Sequence, residues 1–290
     1  SPPAPGDTLA PKPPQEADVV VFVAGLTARS EGEAMSVKAP GFAGGDRTTL
    51  DLPAPQQKLL ERLHASGKPV VLVLMNGSAM SVNWADAKVP AIVQAWYPGG
   101  EGGQAVAELL AGDFSPAGRL PVTFYKSAEQ LPPFADYGMK GRTYRYFTGE
   151  PLYPFGYGLS YTSFAYGKPK LSRAAVKAGE AVEVAVEVRN SGSRDGDEVV
   201  QLYVSRKAEG APIRSLKGFQ RIHLKAGETK KVSFRLDAQA LSIVDAKGTR
   251  IVPAGTAEMW IGGGQPGGAR PGRGPSASIK VNGQQVLKPY

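Results

Sequence analysis

The sequence has 290 residues, a formal net charge of +8, 42% hydrophobic residues and no cysteine. Its length allows two domains with sizeable cores, and the lack of cysteine excludes disulfides and thiolate metal sites. With only two histidines, a histidine-rich metal site is excluded as well. No continuous apolar run is long enough to span a membrane. We therefore expect no metal, no other cofactor and no membrane span.

The positive charge is concentrated in the second half of the chain. Residues 1–166 contain 13 Lys and Arg against 15 Asp and Glu, whereas residues 167–290 contain 21 against 11. A basic surface can indicate nucleic acid binding. These cations, however, mostly alternate with apolar residues, as in "KKVSFRLD". We favour solvent-facing strand surfaces, so no nucleic acid partner is expected.

The first part of the chain changes from a proline-rich start to alternating strands and helices. Residues 1–16 predict a linker or a processed end, and no signal peptide is expected in this sequence. In residues 17–124, the apolar runs "DVVVFVAG" and "KPVVLVLMNG" predict strands that are covered on both faces. Between them, "PQQKLLERLHASG" predicts an amphipathic helix that ends at Gly67.

Three further elements complete this region. "AIVQAWYPG" predicts a strand, "EGGQAVAELLAGD" a helix with a glycine-rich N-terminus, and "GRLPVTF" another strand. Alternating strands and helices are typical of a layered α/β sheet. Ligands of such sheets bind beyond the carboxyl ends of the strands.

The remainder of the chain divides into two regions of different character. Residues 125–166 are rich in aromatic residues, Gly and Pro without any period, which fits a connecting strap or a sugar-binding surface; we favour the strap. Residues 167–290 contain alternating strands separated by turn residues, which predicts an antiparallel β-sandwich. Within it, "GGGQPGGARPGRGPS" predicts a mobile loop by composition.

Two carboxylates stand out as candidates for chemistry. Glu31 and Glu33 lie one residue apart in a long loop at the carboxyl end of the first strand, with Met35 as an apolar neighbour and Asp46 further on. A Glu held against apolar groups keeps its proton near neutral pH, as a general acid requires. A merely solvated acidic loop is the common alternative. The sequence completes no nucleophile elbow, dinucleotide or P-loop signature.

Several motifs occur in an order that resembles glycoside hydrolase family 3, the exo-acting β-glucosidase and β-xylosidase family. The resemblance covers the chain from about residue 17 to its end. The motifs are "GDRTTLDLPAPQQKLL", "KPVVLVLMNGS", "AWYPGGEGGQAVAELLAGDFSPAGRLPVTF", "YRYFTGEPLYPFGYGLSYTSF" and "LKGFQRIHLKAGETKKVSFRL". The last of them resembles the fibronectin type III-like domain that closes many members.

The resemblance implies a fold and a mechanism. Members combine a TIM-like barrel, an α/β sandwich and the fibronectin type III-like domain, so this chain is expected to be a partial α/β layered sandwich followed by an all-β fibronectin type III-like sandwich. Members are retaining enzymes with an Asp nucleophile on the barrel and a Glu acid/base on a sandwich loop. Nothing in this chain matches the barrel, which is expected as an N-terminal part of the same enzyme.

The resemblance also suggests roles for individual residues. Glu33 follows a Gly and is the first choice as acid/base, with Glu31 second; Ala34 replaces the Gly that usually follows, and an insertion separates the pair from the next motif. Asp46 and Arg47 are expected to pair and fix the loop base. Met35 and Phe42 are candidates for the wall on the leaving-group side.

The expected function is therefore release of a non-reducing terminal sugar from a β-linked oligosaccharide or aryl glycoside. A periplasmic or secreted location is expected from the family. Glucoside and xyloside both stay open, as does a homodimer. The alternative from another class is a non-catalytic carbohydrate-binding or scaffolding module, which would bind sugar without turnover.

Overall fold

The computed structural model describes residues 16–27, 31, 37–38 and 40–288. Their contacts form two compact units. The first comprises the described residues of Ser1–Leu110 together with Phe124–Leu131, and the second those of Ala111–Thr123 together with Pro132–Tyr290. No helix in the described part of the chain is long and apolar enough to cross a membrane.

The first unit contains a three-stranded parallel sheet. Its strands are β1 (Val20–Gly25), β4 (Val70–Met75) and β5 (Ala91–Gln94), in the order β1-β4-β5, and a short hairpin is formed by β2 (Phe42–Ala43) and β3 (Asp46–Arg47). The helices that accompany the sheet along the chain are α1 (Ala54–Ala65), α2 (Asn83–Lys88) and α3 (Gly102–Ala111). The predicted α/β layer is confirmed.

Helix α1 follows from its sequence. A proline stands in its first turn, where the missing N–H costs no helical hydrogen bond, and Leu60 and Leu63 are buried. Gly67, one residue beyond the C-cap, has a φ of 78°, and its N–H donates to the carbonyl of His64. The left-handed conformation suits glycine because it has no Cβ, so the predicted stop at Gly67 is confirmed.

The two long apolar runs differ in how they are covered. Central strand β4 is buried on both faces along most of its length, as its sequence predicts. Strand β1 lies at the edge of the three-stranded sheet, and Val21 and Val23 are 45% and 54% exposed. The prediction of cover on both faces is therefore wrong for β1 within the described residues.

The strand predicted at 118–124 is also absent from the described sheets. Residues 118–123 belong to no strand. Leu120 instead donates to the carbonyl of Tyr157 and accepts from the N–H of Gly156, at 2.9 and 2.7 Å. Pro121 follows and has no N–H, so this short pairing cannot extend as a regular ladder.

The second unit contains a β-sandwich. Its strands are β6 (Phe164–Tyr166), β7 (Lys170–Leu171), β8 (Ala175–Lys177), β9 (Val182–Asn190), β10 (Gly196–Arg206), β11 (Ser215–Leu224), β12 (Thr229–Leu236), β13 (Ile243–Val244), β14 (Arg250–Val252), β15 (Gly255–Gly262), β16 (Ser276–Asn282) and β17 (Gln285–Val286). One sheet has the order β11-β10-β15-β16-β8, and the other has the order β12-β9-β6 with β7 also paired to β9. All pairs in these two sheets are antiparallel except β16 with β8.

Alternating side chains explain the core of this sandwich. In β9 every second residue from Val182 to Val188 is buried, and the intervening residues are largely exposed. These valines pack in one cluster with residues of the other sheet, including Leu202 and Ile261. The predicted β-sandwich is thus confirmed.

The glycine-rich segment 262–276, predicted as a mobile loop, folds back on itself as two arms that pair through backbone hydrogen bonds. The N–H of Gly263 donates to the carbonyl of Arg273, and the N–H of Gly272 donates to the carbonyl of Gln265. A Cβ built on Gly272 would lie 2.4 Å from the carbonyl oxygen of Gly264. Glycine is therefore required there for close approach of two backbones.

The aromatic segment supplies rings to the second unit. Helix α4 (Thr143–Tyr146) places Tyr144 against Phe155, with ring centroids 4.2 Å apart. Both rings also make edge contacts with buried Tyr203. At least these two aromatic residues serve packing, whereas Phe134 and Tyr137 are almost fully exposed.

Candidate functional site

Glu31 is held at the carboxyl end of the parallel sheet. Its Oε1 accepts hydrogen bonds from the N–H of Gly77 and from the hydroxyl of Ser78, both at 3.0 Å. Its own N–H donates to the carbonyl of Thr27 at 2.9 Å. Bonds to an ionised carboxylate are among the stronger ones in proteins, so they anchor the start of the acidic loop to the residues that follow β4.

Tyr97 lies beside the Glu31 carboxylate. The hydroxyl of Tyr97 donates to the carbonyl of Leu26 at 3.0 Å. Burial raises the pKa of Tyr97, and the neighbouring Glu31 carboxylate raises it further. A Cβ built on Gly77 would lie 2.9 Å both from Oε2 of Glu31 and from the Tyr97 ring. A larger residue at position 77 would therefore have to displace Glu31 or Tyr97 from its present position.

Arg47 provides the positive charge near Glu31. One guanidinium nitrogen, Nη2, donates to the carbonyl of Ala79 at 2.8 Å, while Nη1 is buried without a hydrogen-bond partner. Burial lowers the pKa of Arg47, and the charges of Glu31 and Asp51 act in the opposite direction. The guanidinium thus compensates part of the negative charge at the root of the loop.

The other predicted residues of the loop base lie on the β2–β3 hairpin. Phe42 pairs with Arg47 and Ala43 with Asp46 through their backbones. Phe42 is half-buried and Asp46 is exposed. No ion pair joins the side chains of Asp46 and Arg47, both of which the structure describes. The backbone hairpin therefore closes the loop base.

Glu33 and Met35 lie outside the described residues, so their roles stay predictions. Around Glu31, the sequence alone did not reveal Gly77, Ser78 and Tyr97 as partners. A signal was present, because Gly77 and Ser78 follow β4 and Tyr97 follows β5, and carboxyl ends of neighbouring parallel strands meet at one edge.

The residue before Tyr97 has an unusual backbone. Trp96 has a φ of 57°, in the left-handed region that non-glycine residues seldom adopt. Its ring makes an edge contact with Phe124, with centroids 6.0 Å apart. Such strain persists where packing enforces it, and here it accompanies the turn that directs Tyr97 toward Glu31.

The root of the acidic loop is fixed by a reciprocal amide contact. The side chain of Gln56 on α1 donates to the carbonyl of Gly25 at 2.9 Å and accepts from its N–H at 2.8 Å. Gly25 has a φ of 128°, and a Cβ built on it would lie 2.1 Å from the carbonyl oxygen of Met75. Glycine is therefore the residue that allows β1 to end against both α1 and β4.

Replacing Gly25 by Ala is expected to lower the free energy of unfolding by roughly 3–5 kcal/mol, because backbone strain and a clash with backbone atoms add together. Gly67→Ala is the matched control, since its φ is also positive but no atom lies within 4 Å of the added Cβ. That variant should lose only about 1 kcal/mol. Urea unfolding of both variants measures the difference, and equal losses would contradict the proposed clash.

The described residues offer no metal-binding cluster. No group of three or more His, Asp or Glu side chains that could hold a metal ion occurs among them. The chemistry available at this edge of the sheet is that of carboxylates, a tyrosine hydroxyl and a guanidinium.

Comparison with protein families gives two matches. Residues 6–161 match the glycosyl hydrolase family 3 C-terminal domain. Residues 198–265 match the fibronectin type III-like domain. The first match covers more than half of the chain, and the second lies within the β-sandwich.

Individual proteins give concordant similarities. A xylan 1,4-β-xylosidase from Xylanibacter ruminicola is 46% identical over 229 residues, which cover 79% of this chain and 26% of the relative. A periplasmic β-glucosidase from Salmonella typhimurium is 38% identical, covering 86% and 33% respectively. The structure of a β-glucosidase from Erythrobacter marinus matches with a TM-score of 0.77 and 37% identity, covering 92% of this chain and 35% of that one. The chain thus spans about a quarter to a third of the length of these proteins.

Proposed function

The chain belongs to the glycosyl hydrolase family 3 C-terminal domain family, and from this we propose that it forms the C-terminal part of a retaining, exo-acting β-glycosidase. The relatives are β-xylosidases and β-glucosidases. The substrate is accordingly a β-linked xyloside or glucoside from which one non-reducing terminal sugar is released.

The match of residues 6–161 to the family carries this proposal, and the hydrogen bonds of Glu31 guide our choice of the acid/base residue. The carboxylate of Glu31 is occupied by donors from Gly77 and Ser78 within the same unit. A carboxylate held in this way supports the loop and is poorly placed to move toward a glycosidic oxygen. Glu33, two residues further along the loop, is therefore our assignment for the acid/base.

In the proposed mechanism, two carboxyl groups act in succession. An Asp on the N-terminal barrel part attacks the anomeric carbon while Glu33 donates a proton to the departing glycosidic oxygen. Glu33 then takes a proton from water, whose oxygen attacks the same carbon and releases the sugar from the Asp. In retaining enzymes the two carboxyl groups lie roughly 5–5.5 Å apart.

The barrel part and export of the enzyme belong to the proposal as well. The nucleophile and most contacts to the terminal sugar come from a barrel for which the relatives' greater length leaves room. We also propose a periplasmic or secreted location, which accords with the name of the Salmonella typhimurium relative.

The test is the stereochemistry of hydrolysis. The protein containing both this chain and the barrel is incubated with nitrophenyl β-D-glucoside and β-D-xyloside, and proton NMR identifies the anomer formed first. The β-anomer is expected, since two inversions restore the configuration. The matching α-glycosides serve as controls and should stay intact. The α-anomer as first product would contradict the retaining mechanism, and sugar binding without hydrolysis would favour a binding module.

A further inference from the structure

A cationic cavity lies within the second unit. Its volume is about 140 Å³. Four cationic side chains and two serines contribute to its lining, namely Arg145, Arg206, Lys217, Arg250, Ser215 and Ser242. None of the described residues that line it is acidic. So many positive charges around one small cavity are unusual, because each repels the others.

Two of the arginines have donors without partners. Arg206 is only 7% exposed; one of its terminal nitrogens donates to the carbonyl of Pro253, while Nη1 is buried with no hydrogen-bond partner. Nε of Arg145 is likewise buried and without a partner. A buried donor that lacks a partner costs folding free energy, and a charged one costs more. Both residues line the same cavity.

The charges around Lys217 also favour binding of an anion. Burial lowers the pKa of Lys217, the charges of Arg145 and Arg250 lower it further, and Asp237 acts in the opposite direction. The carboxylate of Asp237 accepts the N–H of Ala240 at 2.9 Å and is not among the lining residues. Repulsion around Lys217 is therefore only partly compensated.

A serine orients the guanidinium of Arg250 at the cavity. One Arg250 nitrogen donates to the hydroxyl of Ser242 at 3.2 Å. That hydroxyl donates in turn to the carbonyl of Gln239, so its position is fixed. Ser215 is buried on β11, which directly pairs with the strand that ends at Arg206.

We propose that this cavity binds a small oxyanion with the size and charge of inorganic phosphate. Planar guanidinium groups bind such anions through pairs of N–H donors, and an ammonium group adds a further charge-assisted bond. The volume is adequate, since a protein cavity of roughly 150 Å³ holds a molecule as large as benzene. The site is additional to the proposed glycoside hydrolysis and does not depend on it.

Isothermal titration of the whole protein with inorganic phosphate, at constant ionic strength in a chloride buffer, tests the proposal. Saturable binding at one site is expected. An acetate titration distinguishes a tetrahedral dianion from a carboxylate, and acetate should bind at least tenfold more weakly; the chloride present throughout accounts for general screening.

Variants assign that binding to the cavity. Lys217→Met retains the apolar stem and should weaken phosphate binding at least tenfold. Lys231→Met removes an exposed cation of strand β12 and should leave binding unchanged. In phosphate-free buffer, Lys217→Met should also unfold at a higher temperature than the parent, because it removes repulsion. Arg250→Gln repeats the binding measurement on a second side chain.

Some results would overturn the proposal. Absence of saturable phosphate binding to the parent protein would do so. The same holds if Lys217→Met binds phosphate as the parent does, or if Lys231→Met loses binding to the same extent.

Discussion

Replacing Glu33 by Gln is expected to slow the hydrolysis of glycosides with poor leaving groups by about 10²- to 10⁴-fold, which is the range typical of general acid catalysis. Activated aryl glycosides should be affected much less in the first step, because their leaving groups depart without a proton. The measurement is kcat/KM for disaccharide and dinitrophenyl substrates with the protein that contains the barrel.

Glu31→Gln is the matched control for this experiment. Its side-chain oxygen can still accept from Gly77 and Ser78, so we expect a loss of about 1 kcal/mol in stability as charged bonds become neutral. The dependence of its rate on the leaving group should resemble that of the parent. If Glu31→Gln instead shows the leaving-group dependence predicted for Glu33→Gln, the two roles are reversed.

Rescue by an added nucleophile distinguishes loss of the acid/base group from loss of the folded loop structure. Azide needs no general base, so it should restore turnover of dinitrophenyl glycosides by Glu33→Gln and yield a glycosyl azide of retained configuration. A variant that is inactive because the loop is disordered would not recover in azide. Equal activity of Glu33→Gln and the parent on disaccharides would refute the assignment.

The second large effect is expected at a buried ion pair in the β-sandwich unit. Nη2 of Arg119 lies 3.0 Å from Oε1 of Glu198, and the two side chains are 9% and 4% exposed. Arg119 also donates to the carbonyl of Gly263 at 3.1 Å. Removing one partner leaves a buried charge, so Arg119→Met should cost about 3–5 kcal/mol.

The double variant Arg119→Met/Glu198→Met separates pairing from burial. Since no lone charge remains in it, it should be more stable than Arg119→Met by about 2 kcal/mol. Urea unfolding of the parent, both single variants and the double variant gives the coupling energy. A double variant that loses the sum of the two single losses would show that the pair is not coupled.

The loss in Arg119→Met should depend on pH. Burial raises the pKa of Glu198, and the charge of Arg119 opposes this effect. Without Arg119 the pKa of Glu198 in the folded state rises further. The stability that protonation of Glu198 contributes to Arg119→Met is therefore complete below the unfolded-state pKa of about 4.5, and it is lost as the pH rises through the folded-state pKa. The deficit of Arg119→Met is therefore expected to shrink between pH 7 and pH 4.5.

Regular elements could be predicted because one strong pattern determined each of them. The continuous apolar run of β4 fits a central strand with cover on both faces. The same type of run in β1 did not reveal that the strand lies at an edge, because strand order depends on contacts between distant residues. Likewise, the apolar residues of 118–124 resembled a strand, whereas Leu120 pairs with residues 156–157.

The candidate site was predictable only in part for a similar reason. The acidic loop could be recognised as a candidate site because it follows directly after a strand, and parallel strands direct their carboxyl ends to one edge of the sheet. The partners of Glu31, however, lie 46 and 47 residues away along the chain. No local pattern distinguishes Gly77 from a turn glycine, because its close neighbours are the side chains of Glu31 and Tyr97, which are distant along the chain.

The glycine-rich arms of the β-sandwich unit have a practical consequence for labelling and protein engineering. Composition does not distinguish among the glycines between residues 262 and 276, but the structure shows that they differ in the space available for a Cβ. Gly272 and Gly274 stand where an added Cβ would meet backbone atoms at 2.4 and 2.0 Å, whereas nothing lies within 4 Å of one at Gly267. A short peptide tag is thus better inserted after Gly267, where loop tips tolerate added residues, than beside Gly272, where it would separate the two arms.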